Sequence, residues 1–262
     1  MKLHPKKSLG QNFLTDPNTA CKIVRALDPQ PGDSIIEIGA GTGVLTRHLL
    51  ACDAEIIAVE IDERATAILD EIALDAPNLR VLQQDILDVD FRALGIRATP
   101  CRIIGNLPYY LTSQILFHLF DQAEVIKDAV LMMQKEVAER LTAHPRTKQY
   151  GILSVMAQLY SDVTMSFTVP PTVFTPKPRV MSAVLHLAFH TSRVARIRNM
   201  DVFRRIVRGT FGKRRKTMLN CLKHIEMADH LPDTLTPYLG CRPEELTVDD
   251  FIFLANEIVT HD

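Results

Sequence analysis

The chain has 262 residues, which suits one large or two small domains, and its 47% hydrophobic content is ample for a buried core. A formal net charge of −1 favours no class of partner until its distribution along the chain is considered. No run of about 18 apolar residues is present, so no membrane span is expected. The lysines near the amino terminus also lack the apolar stretch of a secretory signal.

Cys21, Cys52, Cys101, Cys221 and Cys241 are widely spaced, odd in number and form no Cys-x-x-Cys pair. That usage fits a reducing cytosol better than a disulfide framework or a zinc site, so a cytoplasmic protein is expected. The histidines show no His-Glu-x-x-His pattern, and no metal is expected.

In chain order, short apolar runs predict strands at 34–38, 55–60, 79–83, 102–105 and 129–133. Several of the segments between them read as helices, among them 44–50 and 64–72. Such alternation predicts an α/β fold with a parallel sheet covered on both faces. The runs 163–169 and 183–189 are strands without a long helix between them; Pro170, Pro171, Pro176 and Pro178 mark the loop. A closing antiparallel pair is expected there.

Composition changes after His190. Arg193, Arg196, Arg198, Arg204, Arg205, Arg208, Lys213, Arg214, Arg215, Lys216 and Lys223 are opposed only by Asp201, and acidic residues dominate from Glu226 onward. The spacing of Val202, Ile206 and Phe211, and of Phe251, Leu254 and Ile258, predicts helices. Two domains are therefore expected, 1–190 and a small helical one, 191–262. Basic residues in such density favour phosphate binding over a solvated face.

Two motifs carry the chemistry. Glu37-Ile38-Gly39-Ala40-Gly41-Thr42-Gly43 follows a strand, and its glycines allow a tight turn and close approach of a ligand. Val44 stands where the third glycine of the dinucleotide fingerprint belongs, which disfavours a dehydrogenase. Glu60, closing the second strand, is placed to accept from ribose hydroxyls. Asp85, expected to close the third, is placed to accept from an adenine amino group. These strand ends share one edge of an open sheet, where such folds bind ligands.

Asn106-Leu107-Pro108-Tyr109 follows the apolar run at 103–105. An adenine N6 is a poor nucleophile because its lone pair is delocalised into the ring. Acceptors from Asn106 and the Leu107 carbonyl can hold its N–H bonds out of plane; Pro108 supplies no competing N–H, and Tyr109 offers a stacking face. Orientation and loss of cofactor charge then supply the rate gain, with no strong base needed. Phe174, beside Pro176 and Pro178, is a candidate for the other face of a flipped base. Methyl transfer from S-adenosylmethionine to a base nitrogen is the expected reaction, with S-adenosylhomocysteine as product.

Leu9-Gly10-Gln11-Asn12-Phe13-Leu14, the Glu37–Gly43 and Asn106–Tyr110 motifs, Phe174-Thr175-Pro176-Lys177-Pro178 and Phe211-Gly212-Lys213-Arg214-Arg215-Lys216-Thr217 occur together and in this order. In that combination the chain resembles the small-subunit (16S-type) ribosomal RNA adenine N6,N6-dimethyltransferases over nearly its whole length. It departs from their pattern at Met218 and Lys177, away from the expected chemistry. The resemblance implies a Rossmann-like S-adenosylmethionine-dependent methyltransferase domain with a carboxy-terminal helical RNA-binding domain. It implies that Gln11, Asn12, Leu14, Gly39, Gly41, Glu60, Ile61, Asp85, Ile86 and Asn106 hold the cofactor. Asn106, Leu107, Pro108, Tyr109 and Phe174 are implied to surround the target.

The implied substrate is a pair of adjacent adenosines in the 3′-terminal hairpin loop of small-subunit rRNA, each methylated twice during late assembly on a preribosomal particle. RNA contacts are expected from Lys6, Lys7, Arg204, Arg205, Arg208, Lys213, Arg214, Arg215 and Lys216, recognition is expected to be led by shape, and the protein is expected to act as a monomer. The competing readings are the large-subunit rRNA adenine dimethyltransferases of macrolide resistance and a non-catalytic assembly or transcription factor on the same fold.

Overall fold

The computed structural model describes residues 3–6, 10–229 and 231–258. By its contacts the chain divides into two compact units: residues 1–138 with 162–189, and residues 139–161 with 190–262. The second unit takes its long carboxy-terminal part from His190 onward and also includes 139–161, a segment upstream of the compositional change.

In the first unit, β1 (Phe13–Leu14) is followed by β2 (Ser34–Ile38), β3 (Glu55–Glu60), β4 (Leu79–Gln83), β5 (Cys101–Asn106), β6 (Ile126–Gln134), β7 (Ser161–Val169), β8 (Phe174–Thr175) and β9 (Ser182–Phe189). Seven of them form one sheet in the order β4-β3-β2-β5-β6-β9-β7. The pairs β4–β3, β3–β2, β2–β5 and β5–β6 are parallel, and β9 returns antiparallel to β6. All five residues of β2 are buried, as are all of β5 but its last. Successive strand side chains point to opposite faces, so continuous burial means that both faces are covered. The edge strand β7 alternates instead. This is the parallel sheet covered on both faces that the alternation of elements predicts, and it has the Rossmann-like form that the family resemblance implies.

The helices of this unit are α1 (Pro17–Leu27), α2 (Val44–Leu49), α3 (Glu63–Ala73) and α4 (Thr112–Asp121), while α5 (Lys135–Leu141) runs across the division. α1 begins at Pro17, with the Asp16 carboxylate accepting from the Thr19 N–H at 2.8 Å, and ends at Asp28 in the left-handed region. Strand order reverses at β2, with β3 on one side and β5 on the other. That places the topological switch point beyond Ile38 and Gly105, which are register partners.

At the other end of the sheet Arg102 is 5% exposed, with its guanidinium held by hydrogen bonds. It donates to both Asp128 oxygens at 2.7 and 2.6 Å, to Asp33 at 2.9 Å and to the carbonyls of Leu27 and Asp28.

The second unit contains α6 (Ile152–Tyr160), α7 (Met200–Phe211), α8 (Met218–His224), α9 (Thr236–Leu239) and α10 (Val248–Glu257). Asn199 caps α7 by accepting from the N–H groups of Asp201 and Val202, and the helix buries Val202, Phe203, Ile206 and Val207. The Phe211 ring packs between Tyr150 and Phe251 at centroid distances of 5.9 and 5.8 Å. The basic stretch does not lie on a single helix: Arg204, Arg205 and Arg208 lie on α7, but Lys213–Lys216 occupy the turn before α8.

Candidate active site

The loop from β2 into α2 is built on backbone that only glycine adopts easily: Gly39, Gly41 and Gly43 have φ of 64°, 56° and 77°. Glu60, at the end of the neighbouring strand, is 6% exposed and organises this loop. Its Oε2 accepts from the Gly41 N–H at 2.8 Å, and its Oε1 accepts from the N–H groups of Ile61 and Asp62, both at 2.9 Å. Below the loop Glu37 is 1% exposed and accepts from the Thr46 hydroxyl at 2.6 Å. Burial pushes the Glu37 carboxyl up to about 8, against the Thr46 hydrogen bonds and with help from the nearby Glu60 charge.

One cavity opens beyond the switch point. Its wall takes Gln11 and Asn12 from the amino-terminal segment, Gly39 after β2, Glu60 and Ile61 after β3, Asp85 and Ile86 after β4, and Asn106–Tyr109 after β5. A smaller neighbouring cavity is lined by Leu14, Gly39, Gly41, Glu37 and Asn106. Asn106 thus borders both. Asp85 does not end its strand, as the sequence suggested. β4 stops at Gln83, and Asp85 caps the following turn by accepting from the Leu87 N–H at 3.0 Å.

The Asn106 amide is held from one side only. Its Nδ2 donates to the Asn12 carbonyl at 3.0 Å, while its Oδ1 is a buried acceptor with no partner among the described residues. The Pro108 carbonyl is taken by the Leu111 N–H and the Thr112 hydroxyl, each at 3.1 Å. Tyr109 is fixed by a 2.7 Å hydrogen bond between its hydroxyl and that of Ser182, at the start of β9. Burial raises the Tyr109 phenol, and the Ser182 bond offsets part of that rise.

Other expected site residues sit elsewhere. Phe174 is 3% exposed, pairs with Leu14 across β1–β8 and belongs to the apolar core; it does not line the main cavity. The Lys6 ammonium lies 3.4 Å from Asp62, and Lys7 is outside the described residues. In the second unit the Arg214 side chain contacts Glu244 at 2.5 Å, Arg205 donates to the Ile225 carbonyl at 2.7 Å, and Arg204 reaches the Tyr160 hydroxyl at 3.4 Å. Arg205, Arg208, Lys213, Arg215 and Lys216 are exposed.

Sequence reasoning missed three residues that shape the site. In sequence Asp62 stands just before a predicted helix, Ser182 just before a predicted strand, and Phe13 inside the amino-terminal motif with no role of its own. Phe13 lies 3.2 Å from where a Cβ on Gly41 would stand, so it closes the glycine loop from above.

The sequence model described as ribosomal RNA adenine dimethylase matches residues 3–234. The ribosomal RNA small subunit methyltransferase A of Xanthomonas oryzae pv. oryzae is 44% identical over 257 residues, covering 96% of this chain and 95% of that protein. A dimethyladenosine transferase from Plasmodium falciparum superposes with a TM-score of 0.79 at 28% identity, over 92% of this chain and 95% of that one. The 23S rRNA methyltransferase ErmE shares the fold with a TM-score of 0.69 at 24% identity, covering 94% and 99%.

Proposed function

The chain belongs to the ribosomal RNA adenine dimethylase family, and from that premise we propose that it moves methyl groups from S-adenosylmethionine to N6 of two adjacent adenosines in the 3′-terminal hairpin loop of small-subunit rRNA. The observation that carries this reading is the buried, unpartnered Asn106 Oδ1 at the switch-point cavity. A buried acceptor left unsatisfied costs about 1–3 kcal/mol, and an N6–H donor from a bound adenine relieves it.

The residues present fit the cofactor. Gly39 leaves open the space between the loop and the Asn106 carbonyl, where an added Cβ would come within 3.8 Å of that oxygen. Ile61, 49% exposed, and Ile86 offer apolar faces for a planar ring, and Asp85 a carboxylate for its amino group. A carboxylate has about four lone-pair sites; after its three backbone donors Glu60 retains one for a ribose hydroxyl. Gln11 and Asn12 stand over the remaining wall, with Leu14, Gly39 and Gly41 lining the adjoining cavity. Bound there, S-adenosylmethionine supplies a methyl group made electrophilic by its sulfonium.

The chain's own residues then orient the nucleophile. Asn106 Oδ1 and the Leu107 carbonyl accept the two N6–H bonds, which localises the nitrogen lone pair. Tyr109, held by Ser182, stacks on the base, and the Pro108 carbonyl stays engaged with α4. Alignment of nitrogen, methyl and sulfonium, with loss of the cofactor's positive charge, supplies the acceleration. The exposed cations of residues 205–216 contact rRNA phosphates in a preribosomal particle, and the protein works as a cytoplasmic monomer.

Incubation with unmethylated small subunits and labelled cofactor, followed by base mapping, tests this reading. Dimethylation of two adjacent adenosines near the 3′ end is expected. Label at other bases of the small subunit, or no label at all, refutes it.

A further inference from the structure

We propose that Asp62 is a positioning residue for the cofactor site: its carboxylate pins the amino-terminal segment across the mouth of the cavity and so governs how long the cofactor is retained. The proposal rests on reading that cavity as the S-adenosylmethionine site.

Capping α3 needs only one bond from Asp62, to the Arg64 N–H at 3.3 Å. The fully buried carboxylate accepts several more. Gln11 Nε2 donates to it at 2.9 Å, Arg64 Nε and Nη2 at 3.0 and 2.6 Å, and Lys6 Nζ at 3.4 Å. Two further bonds tighten the cluster: Arg64 Nη1 donates to the His4 carbonyl at 3.1 Å, and the Lys6 N–H to Gln11 Oε1 at 2.8 Å. The Arg64 hydrogen bonds hold the Asp62 carboxyl well below the usual carboxylate range, so it stays ionised.

The same segment is fastened on the far side of the cavity. The Asn12 carbonyl accepts from Asn106 Nδ2, and Gly10 lies so close to the Tyr110 ring that a Cβ there would stand 2.6 Å from it. Gln11 and Asn12, between the two fastenings, form part of the cavity wall. A terminal segment with little core of its own is ordered only where it is tied down. Lys6 and Arg64 are half-exposed and bind weakly as isolated pairs. Their common acceptor is buried and charged, which makes it the strong point of the cluster. The Asp62 N–H also donates to Glu60, linking this anchor to the proposed ribose acceptor.

Asp62→Asn tests the assignment, because it keeps an oxygen to cap α3 but turns one acceptor into a donor facing Gln11 and Arg64. Hydrogen exchange of the amides of residues 3–6 and 10–14 is measured on the free protein, and cofactor dissociation by stopped flow. Exchange in the segment is expected to quicken about tenfold. Dissociation and KM for S-adenosylmethionine should rise about tenfold, with kcat at saturation within about twofold of the starting enzyme. Lys6→Ala combined with Arg64→Ala should move the same quantities in the same direction. Unchanged dissociation overturns the proposal even if exchange quickens, and so does a fall in kcat at constant KM. A starting protein that binds no S-adenosylmethionine in calorimetry sinks the cofactor reading and this proposal with it, and the exchange measurement, which needs no ligand, tells that failure from the loss of the anchor.

Discussion

Asn106 shows how one side chain serves both halves of a site. Its Nδ2 is spent on the Asn12 carbonyl, which fixes the amide with Oδ1 as the unpaired acceptor. Asn106→Ala should lower single-turnover methylation about 100-fold, as for loss of one preorganised polar group, while subunit binding measured by filter retention stays near normal. Wild-type turnover would remove Asn106 from the chemistry. Glu37 sets a second test. Its folded-state value of about 8 lies above the ordinary 4.5, so its contribution to stability is fully present below pH 4.5 and is lost as pH rises through 8. Glu37→Gln should therefore leave stability almost unchanged near pH 5 and raise it at pH 8, read from urea midpoints. A parallel offset at both pH values would contradict the buried neutral carboxyl. The motifs around these residues stood out in sequence because chemistry needs unusual residue types at strand ends. Asp62 did not, since an acid before a helix is what any helix start looks like.

Between β2 and β5 the backbones approach so closely that a Cβ on Gly105 would stand 2.7 Å from the Ile38 carbonyl oxygen. Neither main chain can yield without disturbing the switch point. Gly105→Ala should cost about 1–3 kcal/mol, the range for overpacking, in urea titration, and should weaken cofactor binding in the same variant. An unchanged midpoint would mean that the strand spacing tolerates the methyl group. The five parallel strands were legible because short apolar runs alternating with helical stretches recur along this part of the chain, although in β4 only Leu79 is buried. The pairing of β1 with β8 was not, because two-residue strands carry no periodicity and their partners are distant in the chain; Thr15 and Val173, hydrogen-bonded just beyond the pair, are 158 residues apart. α6 is an apolar helix like its neighbours in sequence, and only the folded arrangement assigns it to the second unit.

At the scale of the whole molecule, the basic and acidic halves of the tail do not remain apart. Arg196 meets Asp249 at 2.6 Å and Arg214 meets Glu244 at 2.5 Å, so part of the linear charge asymmetry is neutralised within the second unit. The cations that stay exposed around the α7–α8 turn are Lys213, Arg215 and Lys216. Changing these three to Gln should weaken subunit binding and lower its log–log salt slope by roughly 0.7–0.9 for each phosphate no longer neutralised, with cofactor affinity unaltered. An unchanged slope in filter-binding titrations would make the turn a solvated face. Arg214→Gln should show its effect in thermal stability of the second unit more than in the salt slope, because its partner is already within the chain.

The sequence by itself determined the parallel sheet covered on both faces and the two motifs, because hydrophobic patterns and turn residues are local properties of the chain. Only the tertiary structure decided that Phe174 packs into the core, that Asp62 gathers Lys6, Gln11 and Arg64, and that Arg214 is paired while Arg215 is exposed. Each of those depends on which segments meet in space. The Gln11 and Asp62 side chains bond across 51 residues, and a partnership over that distance leaves no local trace in composition or spacing.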